Sequence, residues 1–192
     1  SRMKRTLFSA LCCLLLAGCS PSTSGTIPEE ELRLSEALDQ SGHSFSYSTA
    51  GPEMTAGLYT DGERWYIASV RLTDENEIEL LEQPMLPAET GREDIQLWYG
   101  VCGTAERPWL ALQLTEQDPA CRSLGIVGGG HSVSLSNSAE EPMQWTVQEL
   151  DGLLDSEDCL TVTLADLRKD GQEQEPYCKI PLDLTEALEH LN

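Results

Sequence analysis

The sequence predicts a mainly β chain, an antiparallel sandwich with a short helix at its N-terminal end and another at its C-terminal end. Three observations carry this. From Phe45 onward apolar and polar residues alternate with a period of two, the mark of half-buried strands. Gly, Pro, Asn and Asp interrupt the alternation at short intervals, as in sandwiches and barrels. Helical periodicity flanks this region, in "PEEELRLSEALDQ" (28–40) before it and in "EALEHL" after it.

Taken in order, Pro28 suits a first helical turn, three glutamates follow at the positive end of the dipole, and Gly42 closes the segment. Leu34, Ala37 and Leu38, with Leu32 at the margin, give this helix one modest apolar face. Next, 58–60 and "RWYIASVRL" (64–72) make a hairpin around Asp61-Gly62, and the turn 74–77 leads into "IELLEQ", so that a meander forms. Further strands are expected at 95–102, 109–115, 124–127, 132–136, 144–147, 160–167 and 174–182, with Thr185 capping the last helix. Trp65, Trp98, Trp109 and Trp145 fall within strands and supply core bulk.

The stretch Ile95 to Leu184, by strand count and by its closing hairpin, resembles an immunoglobulin-like sandwich, without the Cys, Trp, Cys spacing of true immunoglobulin domains. Residues 43–192 then form the β-rich domain, either as one body or as a small lobe 43–90 before a sandwich 91–192.

Ahead of the domain stand basic Arg2, Lys4 and Arg5, an apolar run of ten residues from Leu7 to Leu16, and small Ala17 and Gly18. Such a run is about half of what a membrane-spanning helix needs, but it fits an export signal over 1–18, with Met3 the expected start. Leu16-Ala17-Gly18-Cys19 resembles the lipobox of bacterial lipoprotein precursors. The resemblance implies cleavage between Gly18 and Cys19, a diacylglycerol on the Cys19 thiol and an acyl chain such as palmitate on the new amino group. Two signals of that kind suffice for stable anchoring. Residues 19–27 would be the lipidated cysteine and a flexible tether, and 28–42 the helix.

Loss of the signal leaves nine Lys and Arg against 33 Asp and Glu, a net charge of −24. That charge excludes nucleic acid as a partner and is read first as a solvated exterior. Cys12 and Cys13 leave with the signal, so Cys102, Cys121, Cys159 and Cys178 remain. An even number in an exported chain predicts two disulfides, with three pairings available. Equal separations of nineteen positions favour Cys102 with Cys121 and Cys159 with Cys178. Against this, a two-residue turn at Asp170-Gly171 would set Cys159 opposite Leu182, a slip of four residues at ~3.3 Å each, too far for a bridge. Free buried thiols are the alternative.

Little else carries chemistry. His43, His131 and His190 match no metal spacing, and there is no C-x-x-C. "GIVGGGHS" (125–132) lacks the lysine and helix start of a phosphate loop and reads as a wide turn between strands. Ser132, Ser134 and Ser136 share one strand face without a nucleophile elbow. "DGLLDSED" (151–158) and "TDENE" (73–77) do not match a calcium loop. No catalytic residue, metal or cofactor is therefore assigned. The expectation is an extracytoplasmic envelope lipoprotein, in the outer membrane if the host has two, acting as a non-catalytic binding or structural module on a protein or glycan. A small tethered hydrolase acting on cell-wall or carbohydrate substrates, and an accessory subunit of a surface complex, are the alternatives.

Overall fold

A computed structural model describes residues 27–51, 53–137 and 140–191. The expected signal, the expected Gly18/Cys19 cleavage and lipidation site, and all of the expected tether but Ile27 lie outside the described residues. In chain order the elements are α1 (Glu29–Asp39), β1 (Tyr47–Thr49), β2 (Met54–Thr60), β3 (Trp65–Leu72), β4 (Ile78–Pro84), β5 (Leu86–Pro87), β6 (Ile95–Gly103), β7 (Pro108–Glu116), β8 (Ser123–Gly128), β9 (His131–Ser136), β10 (Trp145–Glu149), β11 (Cys159–Ala165), β12 (Cys178–Asp183) and α2 (Thr185–Glu189). The protein is mainly β, with three antiparallel sheets ordered β1-β2-β3-β4, β10-β7-β6-β5 and β12-β11-β8-β9.

The second and third sheets make the sandwich. The chain passes between them after β7, β9 and β10, so that β6, β7 and β10 share one sheet and β12, β11, β8 and β9 the other. This is a Greek-key order of the immunoglobulin-like kind. Ile95, Leu97, Val101, Leu110, Leu112 and Leu114 meet Leu124, Ile126, Val162, Leu164, Ile180 and Leu182 in its core. Each fully buried aliphatic side chain there contributes roughly 1.5–3 kcal/mol.

The segment 47–84 forms the first sheet, stacked on the other face of the second. Met54, Ala56, Leu58, Ile67, Met85, Cys102 and Ala111 fill that interface, with all four tryptophans packed around it. The middle sheet is thus buried on both sides, which is why β7 is buried without a break from Leu110 to Leu114. Small residues let the sheets approach: a Cβ on Gly100 would lie 3.2 Å from Met85 Cγ. The path from β4 to β5 changes sheets at Met85, whose N–H donates to Trp65 O at 2.8 Å. Outermost, α1 covers Ala68 and Val70 with Leu34 and Leu38.

Several local expectations change. The β2–β3 hairpin forms, but its loop has four residues, closed by Asp61 Oδ1 accepting from the N–H groups of Glu63 (2.9 Å) and Arg64 (2.8 Å). Those bonds hold the Asp61 carboxyl below its ordinary range. Thr185 does not cap α2; its N–H and hydroxyl donate to Asp183 Oδ1 instead. Gly128 to Gly130 is no wide turn: Gly129 (φ 57°) and Gly130 (φ 77°) make a tight two-residue reversal between β8 and β9. β12 begins at Cys178 and not at Gln174, and the hairpin register puts Cys159 opposite Asp183, one residue from the expected Leu182.

The disulfide expectation fails, since Cys102, Cys121, Cys159 and Cys178 are all free. Cys102 faces the first sheet, whereas Cys121 lies in the core on the far side of the middle sheet. Cys178 pairs with Leu164, five residues along β11 from Cys159, or ~16 Å at ~3.3 Å per residue. A bridge tolerates less than half of that. Burial pushes the Cys102 and Cys121 thiols up to about 12, so they are inert as well as enclosed. Alkylation of the native reduced protein should label Cys159 first, and Cys102 and Cys121 only on unfolding, as read by peptide mass spectrometry. Equal labelling of all three, or recovery of a bridged peptide, would contradict this arrangement.

Candidate functional site

Where the first sheet meets the β6–β7 turn, a cleft of about 610 Å³ opens to solvent. Glu53 and Met54 enter it at the start of β2, Arg71 and Leu72 at the end of β3, Asp74 from the β3–β4 turn, and Gly103 to Arg107 with Trp109 from the β6–β7 hairpin. Pairing explains the convergence: Met54 lies opposite Arg71, and Cys102 opposite Trp109. The hairpin turn is held by Arg107 N–H donating to Thr104 Oγ1 at 3.1 Å. Gly103 (φ +87°) is required there, because a Cβ would sit 2.5 Å from Arg107 O and 2.9 Å from Trp109 Cδ1.

Arg107 crosses the junction between sheets. Its Nη1 pairs with Glu53 Oε2 at 2.6 Å and its Nη2 with Glu149 Oε1 at 3.1 Å, joining the approach to β2 to the end of β10. Arg71 pairs with Glu79 on β4. At the floor, the Cys102 thiol donates to Met54 Sδ at 3.7 Å. A second cavity of about 30 Å³, with room for a water molecule, shares Arg71 and Gly103 with the cleft and is closed by Ser69, Glu79, Leu81 and His190.

No family model, curated protein or solved structure matches this chain. The site must therefore be read from its own chemistry. A volume of about 610 Å³ lies within the range of small-molecule sites. Glu53 and Glu149 meet at a guanidinium and not at each other, so they form no proton-sharing acid pair. Among the described residues neither serine nor histidine lines the larger cleft. Ion-pairing groups thus stand beside one indole wall and a thioether floor.

The residues singled out from the sequence lie elsewhere or beneath. Cys102 underlies the cleft without lining it, and Cys121 and Cys178 belong to the sandwich core. Near Cys121, the Tyr177 hydroxyl donates to Glu116 Oε1 while Glu116 Oε2 accepts from the N–H groups of Ala120 and Cys121 at 3.2 Å each, tying the crossover after β7 to the entry of β12. Burial, then that hydrogen bond, pushes the Tyr177 hydroxyl far up. His43 stacks on Tyr59, 4.0 Å between centroids, and pairs with Glu82 at 2.7 Å on the outer face of the first sheet. His190 borders the small cavity. In the 151–158 loop, Asp155 Oδ1 accepts from the N–H groups of Glu157 and Cys159 and so closes its own turn. Ser134 shares a hydrogen bond with Ser123 and donates to Glu173. Arg71, Arg107 and Glu53 carry no sequence signal and Trp109 reads only as core bulk, since they converge from separate strands; the one available hint is that basic residues are scarce in so acidic a chain.

Proposed function

We propose that this protein is a lipid-anchored, extracytoplasmic binding module of the bacterial cell envelope, tethered through Cys19, that recognises its ligand in the Arg71/Arg107 cleft without catalysis. The observation that supports recognition over hydrolysis is the Glu53–Arg107–Glu149 bridge: one guanidinium engages both carboxylates, so that neither of these two is free to act as the acid or base of a hydrolytic pair.

The test is a fragment and oligosaccharide screen on the full mature chain by nitrogen-15 NMR. Ligands should shift the Trp109 indole and Arg107 side-chain signals. Ala105→Trp, which fills the cleft from the exposed β6–β7 turn, should abolish those shifts while changing stability by no more than about 0.5 kcal/mol. Responses confined to the opposite end of the sandwich, or turnover of a glycan substrate, would reject the reading.

A further inference from the structure

The charge balance of the cleft narrows what it takes. Its two guanidinia are already engaged, Arg71 by Glu79 and Arg107 by Glu53 and Glu149. Asp74 and Glu106, which also line it, have no cationic partner among the described residues. Counting the residues that hold the arginines, five carboxylates surround two guanidinia, in a chain whose net charge is −21 before any processing. An anion entering here would meet occupied arginines and a repulsive field. A cation would be drawn in by that field and would find unpaired acceptors. Half-buried Trp109 adds an aromatic wall of the kind that attracts cations, and buried Met54 adds a polarizable floor.

We infer that the cleft binds an organic cation, a primary ammonium or guanidinium group, with Asp74 and Glu106 as its acceptors and Trp109 as the wall against which its alkyl chain or charge packs. This rests on the reading of the cleft as the binding site. The same chemistry is offered by a free polyamine and by a basic side chain of a peptide, and the geometry of a cleft open to solvent admits either.

The experiment titrates the full mature chain with spermidine, with tri-lysine, with a neutral N-acetylglucosamine trimer and with tri-glutamate, following the Trp109 indole and Arg107 signals by NMR. Spermidine, tri-lysine or both should shift them, more strongly at low salt than at high, and the double variant Asp74→Asn/Glu106→Gln should weaken that binding about tenfold. Response to spermidine alone identifies a free polyamine, and response to tri-lysine identifies a peptide side chain. If the neutral sugar or tri-glutamate shifts these signals and the cations do not, the inference is overturned while the cleft stands as a binding site. Cation shifts spread over the acidic surface and insensitive to the double variant overturn the inference too. Silence from every probe at Trp109 and Arg107 overturns it together with the assignment of the cleft.

Discussion

Gly128→Ala should destabilise the fold by about 3 kcal/mol or more, beyond the usual cost of an inserted methyl group. A Cβ at this position would lie 2.0 Å from Leu153 O and 3.1 Å from both Leu153 C and Leu160 Cβ. Backbone cannot swing aside as a side chain can, so β8 and the 151–158 loop would have to separate, opening the sandwich beside buried Leu153 and Leu160. Gly130→Ala is the internal control. It meets nothing within 4 Å and carries only the strain of φ +77°, about 1 kcal/mol. In urea titrations the two variants should differ by ~2 kcal/mol, and by about 4–8 °C in Tm for a domain of this size. Equal midpoints would mean that the close approach between the β8–β9 turn and the 151–158 loop is absent in solution.

Cys19→Ala should move the protein from the membrane fraction to the soluble fraction almost completely. Each buried methylene of an acyl chain contributes about 0.8 kcal/mol to membrane partition, and under the proposed anchor both lipid signals would be lost with the one thiol. Among the described residues no helix is long and apolar enough to cross a membrane. Intact mass of the wild-type mature chain should exceed that of residues 19–192 by a diacylglycerol and, where the amino group is modified, an acyl chain. The variant should show neither. A wild-type N-terminus found unmodified and downstream of Cys19 would refute the anchor.

Much of the strand layout is legible residue by residue. "RWYIASVRL" is rich in β-branched and aromatic residues and follows Asp61-Gly62, so β3 and its hairpin could be read directly. Leu34 and Leu38 mark the buried face of α1. By contrast β1 has three residues and β5 two, too few to show a period, and both exist because neighbouring strands supply their hydrogen-bond partners. The β11–β12 register escaped a reading based on Asp170-Gly171, because the pairing is set by Leu160 meeting Leu182 and Val162 meeting Ile180 in the core. The cleft was equally hidden: Glu53, Arg107 and Glu149 lie far apart in the chain, and their shared ion pairs exist only once the first and second sheets are stacked.

What the sequence determined by itself is therefore what short-range physics encodes: alternation for the strands, Gly and Asp for the reversals, and an amphipathic run for α1. The tertiary structure alone decided that 47–84 forms a third layer, that the middle sheet is buried on both faces, that the cysteines stay apart as thiols, and that two arginines converge beside Trp109. Those outcomes depend on which apolar faces find each other. A face of alternating residues states that it must be covered, but its partner is chosen by shape and volume across the whole chain, at places such as Gly100, where the absence of a Cβ admits Met85.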